Sequence, residues 1–201
     1  MTEQEWLDCT NPTHALDFLL SKSSDRRLRL FTCACCRRVW HLMTYERIQN
    51  AVVVTERYAD GLASESEMHE AQLGASIAAR QVPDGEARRV AFSVYYMAAK
   101  ECWASVFTVG GWWKKPDLIR DVFGNLFRPV AVPSDWLAWN DSTVVRIAQA
   151  IYDERAFDRM PILADALEDA GCADEHILSH CRSVGPHVRG CHVLDALLGK
   201  E

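Results

Sequence analysis

Seven side chains able to bind a metal fall within the 21 residues from Cys172 to His192: Cys172, His176, His180, Cys181, His187, Cys191 and His192. They include four of the chain's seven histidines and three of its eight cysteines. Cys172, His176 and His180 recur at four-residue steps, which places them on one face of a helix. His187 and Cys191 are also four apart, and Gly185-Pro186 supplies a turn that can fold this second pair back toward the first. Thiolate and imidazole together suit zinc, which takes four ligands in a closed structural site or three plus water in a catalytic one. His180, Cys181, His187 and Cys191 bracket the turn and are the first four ligands expected. Adjacent His180 and Cys181 point about 100° apart on an ideal helix, so Cys172 and His176 stand as reserves. The segment has no Cys-x-x-Cys pair and matches no standard zinc-finger spacing. The plainer reading makes Cys172 and Cys191 small core residues and the histidines surface groups.

Three other groups could carry chemistry. Cys33-Ala34-Cys35-Cys36 is followed by Arg37, Arg38 and His41. Cys33, Arg37 and His41 share a four-residue step, and flanking cations favour a thiolate, so Cys33 is the reactive-thiol candidate, as nucleophile or redox switch. The alternative is a cysteine buried on a helix. Between Asp153 and Glu175 lie eight acids opposed by Arg155 and Arg159. Asp165 and Glu168, one turn apart, could work as an acid/base pair or bind a hard cation. The alternative is a solvated helix face with local ion pairs. Trp112 and Trp113, followed by two lysines, form the partner-binding candidate, because tryptophan is enriched at interaction hot spots and can stack on bases or sugars. The competing reading is tryptophans that plug a helical core.

The elements that must position these groups are helical. Pro12 can open a helix to about Leu20, and Ser23-Ser24-Asp25 can cap a long one on which Leu28, Phe31, Cys35, Val39 and Leu42 form an apolar stripe. The five arginines at 26, 27, 29, 37 and 38 then read as its wet face. Further helices are expected over Tyr45–Asp60, from the Ser64/Glu67 capping box to about Arg80, and over Glu86–Val106. Asp117–Phe123 is a short helix stopped by Gly124-Asn125. Two prolines make Phe127–Pro133 an extended edge or covering loop. Ser134-Asp135 caps a short turn, Asp141-Ser142 opens a helix to about Phe157, and Asp158 opens another to Ala170. Asp174–Arg182 and Cys191–Leu198 complete the set. The expected fold is therefore mostly α, an irregular assembly of eight to ten helices with little or no β structure. Residues 1–201 are read as a single helical domain with a weak internal boundary near 108–134.

Composition narrows the class. The 201 residues are 49% apolar and 25% charged, with a net charge of −6, which excludes a generally basic nucleic-acid coat. A protein partner is expected rather than a nucleic acid, no membrane association is expected, and the oligomeric state is open. The acidic N-terminus has no apolar segment after it, so a cytoplasmic location with reduced cysteines is expected. There is no Gly-rich phosphate loop and no serine-hydrolase elbow.

Four stretches carry a family resemblance: Leu30–His41 (LFTCACCRRVWH), Ile119–Val130 (IRDVFGNLFRPV), Ala156–Cys172 (AFDRMPILADALEDAGC) and His187–Asp195 (HVRGCHVLD). Together they resemble a family of planctomycete-type bacterial proteins with no established activity, sometimes labelled SMI1/KNR4-like. The resemblance covers most of the chain and implies a bacterial source and one structural unit. It transfers no catalytic residues, and the mixed sheet that the SMI1/KNR4 label requires has no counterpart in the pattern.

The function expected is a helical cytosolic scaffold or interaction protein with a structural zinc site in the C-terminal Cys/His cluster. One alternative is a metal-dependent hydrolase using the same cluster, with Asp165 or Glu168 as general base. The other is a metal-free helical module with a redox-active cysteine.

Overall fold

A computed structural model describes residues 1–10, 12–20, 22–98 and 116–200. The helices among them are α1 (Glu3–Leu7), α2 (Pro12–Leu20), α3 (Asp25–Arg38), α4 (Glu46–Ala59), α5 (Glu65–Gln81), α6 (Glu86–Met97), α7 (Pro116–Phe123), α8 (Ser134–Glu154), α9 (Met160–Asp169), α10 (Glu175–Arg182) and α11 (His192–Leu197). None of the described residues forms a strand, so the fold is mostly α as the periodicity predicts. No helix among them is long and apolar enough to cross a membrane. Packing divides the chain into two compact units, Met1–Leu118 and Ile119–Glu201, with the division inside α7.

In the first unit, α3, α4, α5 and α6 enclose one core. Ser24 caps α3 and Ser64 caps α5, the latter in a reciprocal capping box with Glu67. Ala71, Ala75, Ala78 and Ala79 are buried on α5, where small side chains allow α4 and α6 to approach closely. The single apolar stripe expected on α3 is too narrow. Every residue from Leu28 to Cys36 is buried, because neighbouring helices cover α3 on several sides.

Four of the five arginines of α3 are correspondingly not a wet face. Arg37 donates from Nε and Nη2 to the two oxygens of Glu56 at 2.6 and 2.7 Å. Arg26 pairs at 2.9 Å with Asp60, whose side chain is fully buried. Arg29 pairs with Asp25 at 2.6 Å and lies over the Tyr58 ring, and Arg38 reaches Asp117 at 3.1 Å. Carboxylates from the same helix, from α4 and its C-cap, and from α7 take up the charge that the sequence leaves to solvent.

The second unit packs α8 against α9 and α11, and α9 against α10. Its core gathers Val144, Ile151, Tyr152, Leu163, Leu167, Ile177, Leu178, Cys181, Leu194 and Leu197. The break expected before Asp141-Ser142 is present, since residues 139–142 leave helical geometry and Asn140, Asp141 and Ser142 take left-handed φ values of 45°, 55° and 60°. The following helix stops at Glu154, short of Phe157, because Arg155 turns left-handed at φ 55°. Asp158 lies in a 3-10 turn over Phe157–Arg159 and does not cap α9. Residues 125–133 form an irregular stretch from which Val130 and Val132 lie against this core.

Candidate metal centre

Four side chains of the second unit converge: Asp121 on α7, His180 on α10, His187 in the loop after it, and Cys191 at the N-cap of α11. One donor atom from each lies within 4.8 Å of all the others, a group that could hold a metal ion. Local structure explains how they meet. Asp174 caps α10 by accepting from the amides of His176 and Ile177. The helix buries Ile177, Leu178 and Cys181, and this turns His180 to the margin of the core. Gly190, at φ 92°, closes the turn that brings the Cys191 amide to the Val188 carbonyl at 3.0 Å, a backbone state that suits glycine. Asp121 reaches the loop from α7.

The contacts are close. His187 Nδ1 lies 2.9 Å from Asp121 Oδ1. His180 Nε2 lies 3.2 Å from Cys191 Sγ and 3.4 Å from the same Asp121 oxygen. The His180 and His187 rings meet edge to face at 4.8 Å. Around a tetrahedral zinc with bonds of about 2.0–2.3 Å, donor atoms sit roughly 3.3–3.6 Å apart. The 3.2 and 3.4 Å separations at His180 lie close to that range, while His187 and Asp121 at 2.9 Å stand at hydrogen-bond distance and would move apart around an ion.

The remaining polar atoms are already used by the protein. Asp121 Oδ2 accepts from the Val188 amide at 3.0 Å, which leaves Oδ1 as the inward donor. His187 Nε2 faces the Ser183 carbonyl at 3.3 Å. A carbonyl only accepts, so Nε2 donates to it, and Nδ1 is the ring nitrogen turned to the Asp121 carboxylate oxygen. At 2.9 Å a proton donated by the ring, or a metal ion in its place, lies between that nitrogen and the oxygen. This use of the second ring nitrogen is the outer-shell arrangement found around metal-bound histidines.

Burial sets the electrostatics. It pushes the Asp121 carboxyl up, but hydrogen bonds with His180 and His187 and their charge outweigh it and hold the group below the usual aspartate range. Burial, and then the neighbouring Asp121 carboxylate, push the Cys191 thiol well up, against the pull of the Val193 and Leu194 amides. A metal-free Cys191 therefore stays protonated, and a bound cation would supply the charge that releases the proton.

The same geometry argues against a cysteine nucleophile. A Cys–His–Asp triad needs the thiol on one imidazole nitrogen and the carboxylate on the other. Here Cys191 and Asp121 both contact Nε2 of His180. Cys191 is also fully buried, with no exposed sulfur to offer a substrate.

Three of the four residues expected to ligate, His180, His187 and Cys191, are thus together. Cys181 stands outside the group, in the core, where burial raises its thiol to about 12. The 100° step between neighbours on a helix separates it from His180. Cys172 is buried in the same core and His176 is exposed, so neither reserve joins the cluster. Asp121 was absent from the expected set. One local signal marks it: an acid in the last turn of a helix, where the dipole disfavours it, with no basic residue three or four positions away.

The other candidates are placed differently. Cys33 is fully buried, with Sγ 3.6 Å from the Met97 sulfur and 3.9 Å from the Val52 carbonyl oxygen. His41 lies beyond the end of α3, in the 3-10 turn Trp40–Leu42, and Arg37 is engaged by Glu56. Burial pushes neighbouring Cys36 up to about 12. In the folded protein, maleimide is therefore expected to modify partly exposed Cys9 well before Cys33 or Cys36. Peptide mapping by mass spectrometry checks this, and a fast Cys33 adduct with the fold intact would restore the reactive-thiol reading.

Asp165 and Glu168 are exposed and share Arg182, at 3.0 and 2.5 Å, while Arg159 pairs with Glu154. They form a surface ion-pair face. Trp112 and Trp113 lie outside the described residues. Comparison with protein-family models, with curated proteins and with solved structures finds no match.

Proposed function

We propose that this chain is a zinc-binding helical scaffold whose C-terminal unit is held by Asp121, His180, His187 and Cys191. The observation that carries the reading is the convergence of four donors whose other polar contacts are already directed into the protein. One oxygen, two nitrogens and one sulfur suit zinc better than magnesium or calcium, which prefer all-oxygen shells. Four protein ligands fill a tetrahedral shell, and the Asp121 and Cys191 side chains are almost wholly buried. Both features favour a structural ion over one that keeps a catalytic water. The hydrolase alternative loses its general base, because Arg182 engages both Asp165 and Glu168 at the surface.

The family resemblance remains part of the proposal, with a bacterial, cytoplasmic setting in which the cysteines stay reduced. A scaffold acts through contacts, and Trp112-Trp113 is the segment proposed to make them with a protein. The paired arginines of α3 support a protein over a nucleic acid, because they have no charge to spare for phosphates.

Elemental analysis of the purified chain under reducing conditions tests the metal reading. About one zinc per chain is expected, and its removal by a chelator is expected to lower the melting temperature of the unit from 119 to 201. Absence of bound metal, together with an unchanged melt on adding zinc, would refute it. Zinc lost with no change in melting would favour the catalytic alternative.

A further inference from the structure

His192 follows Cys191 directly, yet none of its atoms belongs to the converging group. Its ring nevertheless touches two of the proposed ligands. Nδ1 lies 2.9 Å from the main-chain carbonyl oxygen of Asp121. The ring meets the His180 ring at 4.4 Å between centroids, inclined at 61°. Because the carbonyl can only accept, Nδ1 carries the proton and donates it. One side chain therefore ties the backbone of α7 at Asp121 to the first turn of α11 and braces the face of His180.

The chain makes room for this ring. Gly124, just past α7, has a left-handed φ of 60°, and a Cβ there would lie 2.6 Å from His192 Cδ2 and 2.7 Å from Cγ. Only glycine both adopts that backbone state without strain and leaves the space the imidazole fills. The helix stop expected from Gly124-Asn125 is thus also the seat of a side chain beside the metal centre.

We propose that His192 is a positioning residue of the metal centre, which sets the reach of Asp121 and the orientation of His180 without itself binding the ion. The proposal rests on the metal reading above. Asp121 comes from a helix more than fifty residues earlier in the chain than the other three ligands. Its Oδ1 can sit in the shell only if the α7 backbone is held at the right distance, and the His192 hydrogen bond is made to the carbonyl of that same residue. Outer-shell partners of this kind typically govern affinity by about 10- to 100-fold.

Three full-length variants test it, with zinc affinity read by chelator competition and ligand geometry read from the visible spectrum of the cobalt(II) form. His192→Phe keeps a ring and loses the donor. It is expected to weaken zinc by about 10- to 100-fold and to dim the cobalt d–d bands as a loosened shell admits water. His192→Asn keeps an N–H at nearly the same reach and is expected to restore both readouts toward wild type. His192→Ala, which cannot overpack against Gly124, is expected to behave like the phenylalanine variant and covers the case in which that variant fails to fold. A wild-type chain that binds no zinc overturns the metal reading and this proposal with it. Wild-type binding with His192→Phe and His192→Ala equal to it in affinity and cobalt spectrum overturns the proposal alone.

Discussion

Replacing Asp121 with alanine is expected to reduce bound zinc to trace levels and to destabilise the second unit by about 3–5 kcal/mol, the cost of breaking a buried charged pair. The carboxylate is 3% exposed and serves three partners at once: Oδ1 faces His180 and His187, and Oδ2 accepts from the Val188 amide. Its removal strands that amide and leaves two imidazoles without their anion. For a unit of this size, a loss of 3 kcal/mol lowers the melting midpoint by more than about 10 °C. Asp121→Asn separates the roles, since it keeps an oxygen for Val188 but not the charge. It is expected to hold the fold better than alanine while still binding zinc weakly. Circular dichroism melts with elemental analysis check both. Full zinc occupancy in Asp121→Ala would return the fourth position to Cys181.

The second large effect belongs to the first unit. Arg37→Ala leaves Glu56, 2% exposed on α4, without the two donors that hold its carboxylate, and also removes a guanidinium lying 4.7 Å from the centroid of the Trp40 ring. An uncompensated buried charge of this kind costs about 3–5 kcal/mol. Arg37→Met combined with Glu56→Met replaces the pair with apolar groups of similar length and is expected to recover most of that loss. Urea denaturation of the single and double variants gives the coupling energy. A single variant as stable as wild type would show that water reaches Glu56. In that case the arginines of α3 would read as the solvated face that the sequence suggests.

Helix positions were legible in the sequence because their signals are local. Ser24, Ser64 and Asp174 each cap the helix that follows, with bonds to amides two or three residues on. Burial of Val144, Ala148 and Ile151 follows the 3.6-residue period. Three of the four converging side chains could be named for a similar reason. His180, His187 and Cys191 lie within twelve residues, close enough for one turn to fold them together.

What tertiary structure decided is the identity of the fourth donor and the meaning of the charges. Asp121 was invisible because its partners lie 59 to 70 positions away, and no periodicity reports a contact across such a separation. Cys181 was included because sequence proximity to His180 says nothing about which of two neighbours faces the core. The arginines of α3 looked solvated because helical spacing shows where charges lie along one helix but not which acids α4 brings against them. Local propensity and spacing thus determined the helices, their caps and the segment that carries most of the donors. Packing of separate helices determined which atoms share a centre, because an interaction energy depends on distance in space and not along the chain.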